Sequence, residues 1–238
     1  MPTDCLLTLG GQTLHLLPER CAFWQEAGVL LVADLHLGKA AHLRYYGLAV
    51  PEGHTADDLE RLSRAIRRSG AVEVMLCGDF FHAPTAQSPL ILRLVEQWRA
   101  THPDVKFTLV TGNHDRGRAL PPVSCGIDLP GPVLFRSPFC FIHDPAEAPG
   151  TPHFTVSGHL HPLVALPGSG GRALRAPCFW YQAASQTLVL PAFSTFTAGV
   201  AMQPPAEDLI FAIHHGGVLP VPPHFCQGKR AGLQPRRA

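Results

Sequence analysis

Five short apolar runs in this chain each end on polar residues able to carry chemistry, and that repetition restricts the fold more than any other feature. Val29 to Ala33 runs into Asp34-Leu35-His36, Val72 to Cys77 into Gly78-Asp79, and Phe107 to Thr111 into Gly112-Asn113-His114-Asp115. Phe139 to Ile142 runs into His143-Asp144, and Phe154 to Ser157 into Gly158-His159-Leu160-His161. The runs have the length and β-branched content of buried strands. Between the first two, Thr55-Ala56-Asp57-Asp58 reads as a capping box, with Leu59, Leu62 and Ile66 at helical spacing up to Gly70. Between the second and third, Ser88-Pro89 supplies an N-cap and first-turn proline, and Ile91, Leu94, Val95 and Trp98 line one face. Strand, helix, strand, helix, strand predicts a mainly parallel sheet, whose ligands gather beyond the carboxyl ends of the strands. The polar residues lie at those ends.

After residue 143 the helical periodicity fades and short strand-like pieces follow: Phe179 to Gln182, Thr187 to Leu190, Leu209 to Ile213 and Val218 to Val221. The start, Leu6 to Leu9 and Thr13 to Leu17 around Gly10-Gly11, reads as a hairpin that could join either sheet. Loops rich in Pro and Gly are expected over residues 144 to 153, 166 to 178 and 202 to 207. With 238 residues, 46% of them hydrophobic, one large domain over residues 1–228 is expected, followed by a frayed basic tail over 229–238.

The formal net charge is +1, which excludes a protein that holds polyanions by bulk charge. The seven cysteines form no C-x-x-C pair, and Cys77 and Cys140 lie in apolar runs as small buried thiols, so a reducing cytoplasm is expected. There is no secretory pattern at the start and no apolar run near ~18 residues, so no membrane partner is expected. No G-x-S-x-G elbow or Walker loop occurs. Gly168-Ser169-Gly170-Gly171-Arg172-Ala173 matches a dinucleotide fingerprint only formally, having neither strand before it nor helix after it.

Histidine stands out, at 14 residues against 3 Tyr and 3 Trp. A single loop histidine is ordinarily a hydrogen-bonding residue; seven ligand-type residues at five successive strand ends point instead to metal. Asp34 and His36, two apart, project to one side, where acid and imidazole suit a divalent ion. Asp79 adds a carboxylate able to bridge two cations, Asn113 an amide oxygen, and His143, His159 and His161 three imidazoles. Seven ligands are too many for one ion and fit two that share a carboxylate about 3.5–4 Å apart. A phosphate diester repels hydroxide, and such a pair neutralises its oxygens and acidifies a trapped water. A positioned imidazole outside the metal shell would serve the leaving group. His114 is the candidate, with Asp115 or another acid holding its tautomer. Lys39 and Arg44 are candidate phosphate contacts, as is His82. His42, His54 and His214-His215 read as structural or surface residues, and Arg61, Arg64 and Arg68 as the wet face of a helix. Tyr45, Tyr46, Phe80 and Phe81 suit either base stacking or the core.

The order D-x-H, GD, GNHD, H, GHxH resembles the calcineurin-like metallophosphoesterase superfamily over residues 34 to 161. The resemblance implies a four-layer α/β fold, two mixed β-sheets flanked by helices. It also implies a first metal on Asp34, His36 and His161, a second on Asn113, His143 and His159, Asp79 between them, and His114 as the catalytic imidazole. Protein Ser/Thr phosphatases read GDxxDRG and GNHE, whereas here Gly78-Asp79-Phe80-Phe81-His82 and a terminal Asp115 disfavour protein dephosphorylation. The GD-Phe-Phe-His and D-x-HLG patterns are similar to those of some double-strand-break repair nucleases. The stretch Ala33 to Ala41 with Arg44, Gly47, Val50-Pro51 and Leu190-Pro191-Ala192-Phe193 is similar to the bacterial ligase-associated metallophosphoesterases, the DNA damage response endonucleases. That similarity implies a manganese-dependent DNA endonuclease or phosphodiesterase of a repair pathway, with iron or zinc also suited to the ligands. Its expected substrate is single-stranded, nicked or looped DNA, in association with a DNA ligase, a helicase and an exonuclease. The competing readings are an enzyme for a small nucleotide or cyclic nucleotide, and a scaffold subunit, against which every filled ligand position counts.

Overall fold

The computed structural model describes residues 3–150, 153–167 and 173–222. Strands β1 (Cys5–Leu9) and β2 (Gln12–Leu17) form the expected hairpin, and β3 (Cys21–Trp24) and β4 (Val29–Ala33) extend it as an antiparallel meander. After helices α1 (Lys39–Tyr45) and α2 (His54–Ser69), strand β5 (Glu73–Cys77) returns parallel to β4. Helix α3 (Pro89–Ala100) then leads to parallel β6 (Lys106–Val110), and β7 (Asp128–Gly131) completes a seven-stranded sheet in sequence order.

Because β4 and β5 are buried on both faces, their apolar runs divide by alternation between two cores. Leu30, Val32, Val74 and Leu76 face outward and pack with Leu59, Leu62 and Ile66 of α2 and with Ile91 and Val95 of α3. Val29, Leu31, Ala33, Met75 and Cys77 face inward, against Phe139, Phe141, Val156, Phe179 and Leu188 of a second sheet. Each fully buried side chain of this size contributes about 1.5–3 kcal/mol, so the inner core clamps the sheets together.

The second sheet holds nine strands: β8 (Val133–Arg136), β9 (Phe139–Ile142), β10 (Phe154–Ser157), β11 (Pro162–Pro167), β12 (Ala173–Gln182), β13 (Thr187–Val189), β14 (Val200–Ala201), β15 (Leu209–His214) and β16 (Gly217–Val221). Parallel pairs β9–β10, β10–β13 and β11–β14 sit among antiparallel ones. Two mixed sheets with helices on the first make the sandwich that the family resemblance implies. Cys77 and Cys140 are buried, as expected. Among the described residues no helix is long and apolar enough to cross a membrane.

Three expectations are corrected. The capping box fails: α2 starts at His54 behind Gly53, and Thr55 Oγ1 instead accepts a hydrogen bond from the Gly38 N–H, 3.2 Å away. A tertiary donor won the hydroxyl that a local cap would have used. The loop expected over 166 to 178 is largely strand, because β11 and β12 pair from Leu163–Pro177 to Pro167–Ala173 and set Val164 and Ala176 into a third apolar cluster with Cys178 and Trp180. Third, Arg61 is not on a wet face: it is largely buried, paired with Asp58 at 2.8 Å and lying over the Phe193 ring. The tail 229–238 and the glycine-rich residues 168–172 lie outside the described residues.

Candidate metal centre

The ligand-type residues sit where β4, β5, β6, β9 and β10 end. There the chain turns sharply, and non-glycine side chains take left-handed backbone. Of eight such residues among those described, Asp34, His36, Asp79, His159 and His161 are five. Each such conformation costs about 1–3 kcal/mol, and strain of this kind concentrates at functional sites. Turn and turn are tied together: His36 N–H donates to Asp79 O at 2.8 Å and Leu37 N–H to Phe80 O at 2.9 Å. Close approach explains two glycines. A Cβ on Gly78, whose φ is +81°, would lie 2.0 Å from His143 Nδ1, and one on Gly158 would lie 2.5 Å from Asp34 Oδ2.

The structure brings all seven predicted ligands into one cluster with two lobes. In the first, His161 Nε2 lies 3.3 Å from Asp34 Oδ1 and 3.4 Å from His36 Nε2. In the second, His143 Nε2 lies 2.8 Å from Asn113 Oδ1 and 3.1 Å from His159 Nδ1. Asp79 Oδ2 stands between them, 3.7 Å from His36 Nε2 and 3.5 Å from His143 Nε2. Its Oδ1 accepts the His114 backbone N–H at 3.0 Å.

These residues fit divalent cations on three counts. Imidazole nitrogens with carboxylate and amide oxygens are the mixed set that such ions accept. Asp34 Oδ1 is fully buried and, among the described residues, accepts no hydrogen bond, an orphan that a cation would satisfy. The far nitrogens of two imidazoles are held by backbone carbonyls, His143 Nδ1 at 3.1 Å from Cys77 O and His161 Nδ1 at 3.2 Å from Ala198 O. Each Nδ1 must carry the proton, which leaves Nε2 as a bare lone pair aimed inward.

Electrostatics divide the cluster. Burial, with the neighbouring His161, His82, His114 and Lys39, drives the His36 imidazole down to about 2, so it is neutral and ready to coordinate. Burial pushes the Asp79 carboxyl above its usual value; Asp34 adds to this, and His143 pulls it back. Burial works against charge on His161, yet the carboxylate of Asp34 holds it above the ordinary imidazole value.

Around the cluster the other predicted residues divide. His114 faces it, its Nε2 4.0 Å from Asp79 Oδ2, and its Nδ1 lies 2.6 Å from the His82 carbonyl, which it must donate to. The expectation that Asp115 orients His114 is corrected: Asp115 is buried and accepts the backbone N–H groups of Asp79, Phe80 and Gly112 at 2.7, 3.0 and 2.9 Å. Burial raises its carboxyl to about 6. A backbone carbonyl took the orienting role because Asp115 is used to brace the turn after β5. His82 lies beside the cluster, stacked on His114 at 5.1 Å, and burial with Lys39 and His114 lowers it to about 4. Lys39 is close enough for its charge to act on both His36 and His82. Arg44 is not brought to the cluster: its guanidinium donates to Val50 O and Pro51 O and lies 3.5 Å from Glu52.

Sequence reasoning missed Asp144, whose Oδ2 is 3.5 Å from His159 Nε2, although its place after His143 was a signal. It also missed His42, in ring contact with His82 at 4.9 Å. It marked Leu190-Pro191-Ala192-Phe193 only as a motif and not its contacts: Phe193 and Ser194 donate to the Ala33 and Asp34 carbonyls, while Arg20 donates to Ser194 O and Arg61 to Phe193 O. No local pattern marks those contacts.

The profile of the calcineurin-like phosphoesterase family matches residues 28–176. The structure is similar to the crystal structure of nuclease MPE from Pseudomonas putida, with 35% sequence identity and a TM-score of 0.78 over 92% of this chain and 100% of that one. YfcE, a phosphoesterase from E. coli, is a remote likeness, 15% identical with a TM-score of 0.43 over 81% of this chain and 97% of that one. No curated protein matches the chain.

Proposed function

Given that this chain belongs to the calcineurin-like phosphoesterase family and is a hydrolase of phosphate esters, we propose that it cuts DNA phosphodiester bonds with two divalent cations. Manganese is the preferred metal. The first would rest on Asp34, His36 and His161, the second on Asn113, His143 and His159, with Asp79 shared. The observation that carries this reading is the pair of imidazoles fixed by Cys77 and Ala198 carbonyls so that bare Nε2 atoms meet two carboxylates, one with an orphan oxygen. When bound, such cations supply charge neutralisation and a water acidic enough to attack phosphorus at neutral pH.

The chain's own groups do the rest. Asp79 is held by the His114 amide so that Oδ2 stays turned to the centre. His114 keeps Nδ1–H on the His82 carbonyl and presents Nε2 to the departing oxygen. Protonated there, it donates its proton as the P–O bond breaks, which prevents an alkoxide from leaving unprotonated. Lys39 and His82, beside the same cluster, would steady a non-bridging phosphate oxygen. DNA as substrate is supported by the similarity to the P. putida nuclease and by the D-x-HLG and GD-Phe-Phe-His motifs. The likeness of Ala33 to Ala41, Arg44, Gly47, Val50-Pro51 and Leu190-Pro191-Ala192-Phe193 to the ligase-associated metallophosphoesterases supports a repair role alongside a ligase, a helicase and an exonuclease, and the cysteine usage supports a cytoplasmic place.

The test is a Mn²⁺ titration of nicking on single-stranded and circular DNA. Asp79→Asn and His114→Ala should each lower cutting by about a hundredfold or more, and full activity in either variant would remove the mechanism. A small phosphodiester or cyclic nucleotide is the second reading, favoured by the near-neutral charge of +1, because a small ligand needs no extended basic groove. Rates on bis(p-nitrophenyl) phosphate, cyclic nucleotides and DNA in one buffer separate the two.

A further inference from the structure

Tyr45 closes helix α1 and Tyr46 caps it, and their side chains are bare: the residues are 72% and 66% exposed. Their rings meet edge to face with centroids 5.2 Å apart. Aromatic side chains of this size normally bury most of their surface, so two left open side by side mark a binding surface. Phe80 and Phe81, equally aromatic and equally near the motifs, are 1% and 0% exposed in the outer core. Only the tyrosines are free to meet a ligand.

The pair is connected to the centre. The Tyr46 ring meets His42 at 5.1 Å, His42 meets His82 at 4.9 Å, and His82 stacks on His114. An unbroken file of rings thus runs from the exposed pair to the imidazole that faces the cluster. The helix bearing them is tied down on both sides. His42 Nδ1 lies 2.5 Å from Thr85 Oγ1, and Arg44 grips the Val50 and Pro51 carbonyls. Little ordering remains to be done when a ligand arrives.

A chain of net charge +1 needs a source of affinity for DNA other than broad attraction, and Arg44 is already engaged within the chain. Stacking supplies it without regard to base identity, and only unpaired bases offer free faces. We infer that Tyr45 and Tyr46 form a stacking platform for the nucleobases of single-stranded DNA a few nucleotides from the scissile phosphate. The platform would set the strand preference. This inference rests on the DNA reading above.

The experiment compares the wild type, Tyr45→Ala/Tyr46→Ala and Tyr45→Phe/Tyr46→Phe with Mn²⁺ on a single-stranded oligonucleotide and on bis(p-nitrophenyl) phosphate. The readout is the ratio of kcat/KM on the oligonucleotide to that on the small ester. The alanine pair should lower this ratio about tenfold or more, through KM, within the range of one or two lost base stacks. The phenylalanine pair, which keeps the rings, should restore it. An unchanged ratio overturns the platform whether both activities persist or fall together, and so does a phenylalanine pair as impaired as the alanine pair. A wild type that hydrolyses the small ester and no DNA overturns the DNA reading, and the platform with it; a wild type that cuts DNA beside an unaffected alanine pair overturns the platform alone.

Discussion

One buried acid opens strand β5 and another lies in the turn just past its end, and the two are treated in opposite ways. Glu73, at its start, is fully answered by the protein. Arg136 forks onto both carboxylate oxygens at 2.8 and 3.1 Å, and Thr108 Oγ1 donates at 2.8 Å. Burial opposes its charge, yet these bonds hold its carboxyl below the usual value. Asp79, six residues later, has strained backbone, imidazole neighbours and, among the described residues, no Arg or Lys partner, and burial pushes its carboxyl up. A buried acid that the chain neutralises is part of the scaffold. One left hungry on a strained turn awaits something the chain does not contain.

The contrast breaks most readily at Asp79. Asp79→Asn should lower turnover at least about a thousandfold, roughly 4 kcal/mol of barrier. In EDTA it should melt no lower than the wild type, because an uncompensated buried charge has gone. Mn²⁺ should raise the wild-type Tm and leave the variant's almost unmoved. A variant that melts well below the wild type without metal would make Asp79 a scaffold residue like Glu73.

His114→Ala should cost about a hundredfold or more in kcat, the range for a lost general acid. Its Mn²⁺-induced rise in Tm should persist, since His114 lies outside the proposed ligand set. Loss of that rise would place the imidazole on the metal.

At the other end, Arg136→Ala should leave kcat per folded molecule unchanged and lower stability by about 1–3 kcal/mol, measured by urea unfolding near neutral pH. Since the Glu73 carboxyl titrates lower in the folded than in the unfolded chain, its stabilisation is complete above about pH 5 and lost as pH falls through the folded value. The gap between wild type and variant should therefore narrow as the pH falls through the folded Glu73 value, and a gap that stayed open in strong acid would mean that Arg136 acts by packing. Thr108→Val, which removes one of three bonds to Glu73, should show the smallest effect, about 1 kcal/mol and no change in activity.

The strands that end at the centre were legible because each is a local event: a buried apolar run, then a polar turn, with a glycine between them at Gly78, Gly112 and Gly158. The hairpin and the helices between Thr55 and Gly70 and after Ser88 were legible for similar reasons, and Ser88 does cap α3 by accepting the Ile91 N–H. The misses share one cause. Thr55, Arg61 and Asp115 are polar residues whose partners lie far along the chain, at Gly38, Phe193 and Asp79. Local propensity assigns such residues to caps, wet faces or the nearest histidine. Strands β11 and β12 were hidden because Pro and Gly signal turns by composition, whereas their pairing and the burial of Val164 and Ala176 are long-range.

What the sequence alone determined is the chemical inventory: two carboxylates, an amide and imidazoles, each placed at a strand end by its own short motif. Only the tertiary structure decided which nitrogen of each imidazole looks inward, that Asp115 braces a turn instead of a catalytic ring, and that Tyr45 and Tyr46 stand open while Phe80 and Phe81 are core. The reason is physical. A motif is fixed by neighbours along the chain, but a tautomer is fixed by whichever carbonyl lies behind the ring, and for His143, His161 and His114 those carbonyls belong to Cys77, Ala198 and His82.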